Sequence, residues 1–230
     1  MKEKAVIVLS GGLDSTTCMG IAQSKGYDLY PITFYYNQRH NREVEQAKKV
    51  AEHYGVAHQH KIVNVSFLGE IGASALTDPE IEVRTEGVEE DIPNTYVPAR
   101  NLIFLSLATA YAEVVGAKVI YTGVSAVDYS GYPDCRPEFI QSLTETINLA
   151  TKMGVTSEDK LRIETPLIHM TKAETIQVGL ELNVPYELTT SCYLGEEEAC
   201  GVCDSCRLRL KGFTENNAVD PIPYRTNTVL

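Results

Sequence analysis

The sequence has no long apolar run. Its longest nearly apolar stretch, Leu102 to Ala112, holds 11 residues, well short of the roughly 20 that a membrane-spanning helix needs. An apolar leader is missing too. Met1-Lys2-Glu3-Lys4 is followed only by Ala5 to Leu9 before Ser10-Gly-Gly, so the expectation is a chain that stays in the cytoplasm and uses no membrane. Positive charge is scarce. The 230 residues carry 20 Lys+Arg against 31 Asp+Glu, a net charge of −11. Broad electrostatic binding of nucleic acid needs basic surface, so no nucleic acid partner is expected. There is no internal repeat and no low-complexity tract. With 43% hydrophobic and 22% charged residues, disorder and coiled coil are excluded as the main state.

What the chain does have is a cysteine cluster. Cys18 and Cys135 stand alone, while Cys192, Cys200, Cys203 and Cys206 follow a Cys-x7-Cys-x2-Cys-x2-Cys spacing. In a cytosolic chain such a cluster reads as a metal site rather than as disulfides. Four thiolates suit tetrahedral zinc, and a closed four-cysteine site has no open position for water, so its role is structural.

The periodicity predicts alternating strands and helices. Ala5–Leu9 is a short apolar strand. A helix follows Ser10–Ser15 with Cys18, Ile21 and Ala22 inward and Gly26 at its end. Leu29–Tyr35 is a second strand. Helical spacing of Val44, Ala47, Ala51 and Tyr54 marks 42–54, and His58–Val65 reads as a third strand. This order calls for a parallel sheet flanked by helices. Residues 66–98 have no clear period and read as an insertion. Ala99–Gly116 is a buried helix, Lys118–Thr122 a strand, Ser125–Arg136 a loop. Pro137 opens a helix with Phe139/Ile140, Leu143 and Ile147 on one face. Leu161–Leu167 is a short strand. Thr171-Lys-Ala-Glu174 is a capping box for a helix to about Leu182. The cysteines and a short helix close the chain, with 213–230 expected as an irregular tail.

Three stretches carry chemistry. Ser10-Gly11-Gly12-Leu13-Asp14-Ser15-Thr16-Thr17 lies between a strand and a helix. Its glycines allow a tight turn with outward N–H groups, the helix start adds unpaired donors and the positive dipole end, and Ser10, Ser15 and Thr16 add hydroxyls. It is a phosphate seat without the Gly-Lys-Ser/Thr ending of a Walker loop. A plain glycine turn capped by Asp14 or Ser15 is the bland alternative. The cysteine cluster is the second stretch. The third is Asp128–Arg136 after a strand end, where ligands of open parallel sheets bind. With two Asp, two Tyr and an Arg it can hold a planar base, or it is simply a Gly/Pro turn. His53, His58, His60 and His169 have no spaced partners and read as surface or core residues.

The Ser-Gly-Gly-x-Asp-Ser pattern resembles the PP-loop of ATP pyrophosphatases, which split ATP to AMP and pyrophosphate while activating a carbonyl or carboxylate. The ordered set Ser10–Ser15, Tyr36-Asn-Gln-Arg-His40, Val97-Pro-Ala-Arg-Asn101, Asp128–Arg136 with Glu138-Phe139, Ser191-Cys-Tyr193 and Cys200–Cys206 is similar to the 7-cyano-7-deazaguanine (preQ0) synthase family of queuosine-precursor biosynthesis. The resemblance implies an adenine nucleotide alpha hydrolase-like, Rossmann-like fold over 1–185 and a zinc-binding C-terminal region and tail over 186–230. It implies ATP with Mg²⁺, 7-carboxy-7-deazaguanine and ammonia as substrates, and a homodimer. With the chain filled by this fold, ammonia is expected from solution rather than from a glutaminase domain.

Roles implied by the family pattern follow. Leu9, Ser10, Gly11, Gly12, Leu13, Asp14, Ser15, Thr16, Thr17, Cys18 and Met19 hold the ATP phosphates. Asp14, Arg100 and Lys172 are the catalytic candidates, Lys172 towards pyrophosphate, with a solvated lysine as its alternative. Arg100 and Asn101 are nucleotide contacts, with a helix cap and surface ion pair as the alternative. Gly123 lets the nucleotide approach the backbone. Tyr129, Asp134 and Arg136 contact the deazaguanine, the aspartate at its N–H edge and the arginine at its carboxylate. A PP-loop tRNA-thiolation enzyme and a nucleotide-sensing zinc domain remain as competing readings. Against thiolation stand the charge of −11, the close clustering of four cysteines, and the expectation that Cys18 faces the core.

Overall fold

The computed structural model describes residues 2–37, 42–72, 74–78, 80–82, 92–127, 132–194 and 197–225. Five parallel strands form one sheet in the order β3-β2-β1-β4-β5. They are β1 (Lys4–Val8), β2 (Asp28–Tyr35), β3 (Lys61–Asn64), β4 (Val119–Tyr121) and β5 (Arg162–Glu164). β1 is central. Its Ala5 pairs with Leu29 of β2 on one side and Val119 of β4 on the other.

The helices are α1 (Leu13–Ser24), α2 (Arg42–His53), α3 (Phe67–Ile71), α4 (Arg100–Val115), α5 (Pro137–Ala150), α6 (Lys152–Thr156), α7 (Lys172–Glu181) and α8 (Asp204–Glu215). Alternation along β1 divides them between two faces. Ala5, Ile7 and Leu9 pack with Cys18, Met19 and Ala22 of α1 and Ala47, Val50 and Ala51 of α2. Val6 points the other way, into a core with Phe104, Leu105 and Ala108 of α4 and Ile140, Leu143 and Ile147 of α5. The chain winds outward from β1 through β2 and β3, then returns to β4. The strand order therefore reverses beside β1, which opens a crevice at the carboxyl ends of β1 and β4.

Local chemistry explains the helix ends. Gly26 (φ +85°) follows α1 and Gly116 (φ +74°) follows α4, a conformation costly for other residues. The capping box of α7 is present: the Glu174 amide donates to Thr171 Oγ1 at 3.3 Å, and the Thr171 amide donates to Glu174 Oε2 at 2.7 Å.

The structure departs from the sequence expectation in several places, among them an added short helix, α6, and a β5 confined to Arg162–Glu164 rather than Leu161–Leu167. Residues 57–59 form a 3₁₀ turn, so β3 begins at Lys61 rather than His58. The 66–98 stretch contains a short helix, α3. The helix α8 continues to Glu215, because Phe213 is buried against Tyr186 at a ring separation of 5.6 Å instead of starting a loose tail. Among the described residues no helix is long and apolar enough to cross a membrane.

Candidate active site

A cavity of about 290 Å³ opens at the carboxyl ends of β1 and β4. Its floor is the Ser10–Ser15 loop. Gly11 has φ +80°, and a Cβ there would collide with the Glu43 carbonyl and lie 2.7 Å from the Ala47 nitrogen. Gly11 thus seats the loop on α2. Ser10 and Ser15 lock the turn from inside: their Oγ atoms are 3.0 Å apart, the Ser10 amide donates to Ser15 Oγ at 3.1 Å, and the Gly12 amide donates to Ser10 Oγ at 3.2 Å. Gly12, Leu13, Asp14 and Ser15 border the cavity. The first turn of α1, whose N–H groups have no partner inside a helix, therefore faces it.

Only part of the 9–19 segment reaches the cavity. Leu9, Ser10, Gly12, Leu13, Asp14 and Ser15 line it. Thr16, Thr17, Cys18 and Met19 are buried. Thr16 Oγ1 donates to the Gly12 carbonyl at 2.8 Å, Thr17 Oγ1 is 2.8 Å from the Tyr186 hydroxyl, and Cys18 and Met19 sit in the core. These four lie past the first residues of α1, in the stretch where the helix is buried on every side. Gly123 lines the cavity too, but its missing Cβ leaves room for the first turn of α1, since a Cβ would lie 2.9 Å from the Ser15 nitrogen.

Lys172 closes the floor. At the first residue of α7, its Nζ donates to both carboxylate oxygens of Asp14, at 2.6 and 2.8 Å. The two residues are distant in sequence, and helical packing of α7 on α1 brings them together.

The opposite wall comes from α4. Ala99 precedes it with φ +56°, and its amide donates to the Tyr96 hydroxyl at 3.1 Å. Arg100 then lines the cavity with Tyr36, Phe34, Phe104 and Tyr132. The Phe34 and Phe104 rings stack at 4.3 Å. Asn101 lines the cavity and donates through Nδ2 to the Asp134 carbonyl at 3.4 Å and to Cys135 Sγ at 3.2 Å.

The residues expected to hold the deazaguanine fare differently. Tyr129 lies outside the described residues. Asp134 is buried behind the wall, where its Oδ2 accepts the Asn101 amide at 2.9 Å. It caps the start of α4, a task that Ala99 has no side chain to perform. Arg136 is exposed and does not line the cavity, because it precedes α5 and faces outward. The sequence does not mark Phe34 and Phe104, whose apolar character reads as core, or Leu76, which falls in the 66–98 stretch without period. Tyr132, one of the two tyrosines of the loop expected to hold a planar base, does line the cavity, while Tyr36 stands in a family motif with no task assigned to it.

The four clustered cysteines converge. Their sulfurs all lie within 4.8 Å of one another. A tetrahedral zinc with bonds of about 2.3 Å wants sulfurs roughly 3.8 Å apart, so the donor set fits that ion. Backbone amides of Cys200, Val202 and Cys203 donate to cysteine sulfur at 3.3–3.4 Å, which favours thiolate. Hydrogen bonding with Cys192 and Cys203, together with burial, holds the Cys206 thiol above its ordinary pKa, a penalty that a cation relieves. Arg209 braces the region from within. It is 1% exposed and forms a two-bond fork with Asp220 at 2.7 and 2.9 Å, while Nη1 donates to Thr189 Oγ1 at 2.7 Å and Ser191 Oγ at 3.2 Å. The Thr190 amide donates to the Gly11 carbonyl at 3.0 Å. The cysteine region is therefore tied to the phosphate loop, and Thr190, Ser191, Cys192 and Tyr193 line the cavity.

The fold is shared with solved structures of low sequence identity. An NMN synthetase from Francisella tularensis matches with a TM-score of 0.52 and 15% identity, over 95% of this chain and 79% of that one. A 4-thiouridine synthetase in complex with RNA and bound ATP matches with a TM-score of 0.51 and 20% identity, over 92% of this chain and 53% of that one. Parallel sheet, Ser-Gly-Gly-x-Asp-Ser turn and helix N-terminus together define a PP-loop α/β protein. The family model described as queuosine biosynthesis protein QueC matches residues 4–217, and the chain belongs to that family. A curated 7-cyano-7-deazaguanine synthase from Oceanobacillus iheyensis is 61% identical over 222 residues, 96% of this chain and 98% of that protein. Another, from Acetivibrio thermocellus, is 55% identical over 225 residues, 98% of this chain and 99% of that protein.

Proposed function

We propose that the chain converts 7-carboxy-7-deazaguanine and ammonia to 7-cyano-7-deazaguanine, driven by ATP. The observation that carries this reading is the two-sided cavity. One wall is a phosphate seat, and the other is an arginine among aromatic rings. A nucleotide and a flat acid are the pair of ligands such a cavity suits.

The chemistry needs two activations. A carboxylate oxygen attacks the α-phosphorus of ATP, the bond to the bridging oxygen breaks, and pyrophosphate leaves. Ammonia adds to the acyl carbon and AMP departs, giving the primary amide. A second adenylation, at the amide oxygen, then lets AMP leave as the two N–H protons are lost, and the nitrile remains. The loop amides and α1 dipole stabilise charge on the transferring phosphoryl group. Asp14 would offer a carboxylate to Mg²⁺, which would offset phosphate charge. Lys172 exchanges its Asp14 partner for pyrophosphate. Zinc at Cys192, Cys200, Cys203 and Cys206 is structural. Ammonia comes from solution. The division near residue 185, a homodimer and a cytoplasmic location belong to the same proposal.

Thiolation of tRNA is the nearest rival. Burial pushes the Cys18 thiol above its ordinary value, and burial with the nearby Asp134 pushes Cys135 up to about 12. Neither offers a thiolate at neutral pH, which supports the synthase reading. The test is product analysis by mass spectrometry with the carboxylate, ammonia, Mg²⁺ and ATP. Nitrile is expected, with primary amide at limiting ATP. Turnover that needs tRNA rather than the free base would replace this reading with thiolation.

A further inference from the structure

We propose that Arg100 binds the carboxylate of 7-carboxy-7-deazaguanine, with the aromatic wall beside it holding the flat ring. This rests on the synthase reading and adds which side chain recognises the acid.

Arg100 is the first residue of α4, partly buried, in the cavity wall. Its guanidinium makes no ion pair with a carboxylate among the described residues. Its polar contact is a long one, Nη1 to the Tyr36 hydroxyl at 3.5 Å, and its guanidinium carbon stands 5.8 Å from the Tyr36 ring centre. Among the described residues, five N–H donors thus share one weak acceptor. Asp134 is near, but its Oδ2 accepts from the Asn101 amide. Burial works against the charge, yet a guanidinium keeps its proton, and the nearby Asp134 carboxylate favours the cation. A charged fork with its donors unmatched in a cavity wall is set up for an incoming anion.

Two anions are on offer, a carboxylate and the phosphates of ATP. Position separates them. The phosphate seat is built by α1 and α7, and α1 packs on the sheet face of Ile7 and Leu9. Arg100 comes from α4, on the face of Val6, beside Phe34 and Phe104. Stacked rings suit a planar heterocycle and offer nothing to a triphosphate. A guanidinium meets a carboxylate with two parallel bonds, a match that a lysine lacks. Arg136, the expected partner of this carboxylate, faces solvent instead.

Equilibrium binding to the full chain tests the assignment with three ligands: 7-carboxy-7-deazaguanine, 7-deazaguanine without the carboxylate, and ATP. Arg100→Gln should weaken the carboxylate ligand about 10- to 100-fold, while the uncharged base and ATP bind as to wild type. Arg100→Lys should fall between, since it keeps charge without the fork, and it carries the same comparison if Arg100→Gln fails to fold. Equal losses for both bases, or a loss confined to ATP, would overturn the assignment. A wild type that makes nitrile beside an Arg100→Gln protein of unchanged acid affinity sinks the Arg100 role alone. A wild type that binds ATP and neither base sinks the synthase reading with it.

Discussion

Gly11 and Gly12 are neighbours in the phosphate loop, yet each is glycine for its own reason. Gly11 needs a positive φ and has the backbone of α2 where a Cβ would be. Gly12 has an extended backbone (φ −85°), and its Cβ would meet Ser10 Oγ at 3.2 Å and the Thr190 carbonyl at 3.4 Å. Gly11→Ala should therefore lower stability, by backbone strain of about 1–2 kcal/mol before the collision is added. Gly12→Ala should fold and lose ATP affinity. Thermal melts beside ATP titrations distinguish them, and unchanged ATP affinity in both would remove the loop as the phosphate seat. His60 matters in another way. Thr33 Oγ1 donates to the Leu9 carbonyl at 2.5 Å, so His60 Nε2, 2.7 Å away, donates to Thr33. Burial, then the charge of Lys48, lowers the His60 pKa to about 4 from an ordinary value near 6.5. Between those values the unfolded chain binds a proton that the folded chain does not. The stabilisation is complete above about pH 6.5 and fades as pH falls towards 4. Urea midpoints at several pH values should drop more steeply for wild type than for His60→Gln across that window. Parallel slopes would contradict the assignment.

At the scale of elements, α4 shows how a helix borrows what its own sequence lacks. Ala99 cannot cap it, and Asp134 does so across 33 residues of chain. Asp134→Ala should cost about 0.5–2 kcal/mol, the usual loss of an N-cap, read as a lower melting temperature without bound substrate. An unchanged melting temperature would return Asp134 to the candidate base contacts. The contact was invisible in the sequence because Asp134 stands in a loop rich in polar residues, where a cap and a ligand contact look alike. Strands and amphipathic helices were legible because their periods are short-range. The loop after β1 was legible because Gly-Gly between a strand and a helix has few other uses. Cavity walls were not. Phe34 and Phe104 are apolar residues on buried elements, and nothing local says that one edge of that core is open. Leu76 falls in a stretch without period, yet it lines the cavity.

Over the whole molecule, the cysteine region and the phosphate loop form one unit. Thr190 holds Gly11, Arg209 holds Thr189 and Ser191, and Cys192 and Tyr193 line the cavity. Loss of the metal should then be felt in ATP binding as well as in folding. Cys203→Ala should abolish a stoichiometry of one zinc per chain and lower both melting temperature and ATP affinity, since structural zinc supplies roughly 10–16 kcal/mol of apparent binding free energy in zinc-finger peptides. A folded, zinc-free, fully active variant would refute the site. The central claim is that one cavity activates a small acid twice with ATP. Its most direct test counts pyrophosphate against nitrile in the same reaction, with free 7-carboxy-7-deazaguanine, ammonia, Mg²⁺ and ATP. Two pyrophosphates per nitrile, with AMP in equal amount to pyrophosphate, is the result expected. Release of ADP and phosphate, or pyrophosphate release that the free acid fails to stimulate, would contradict it.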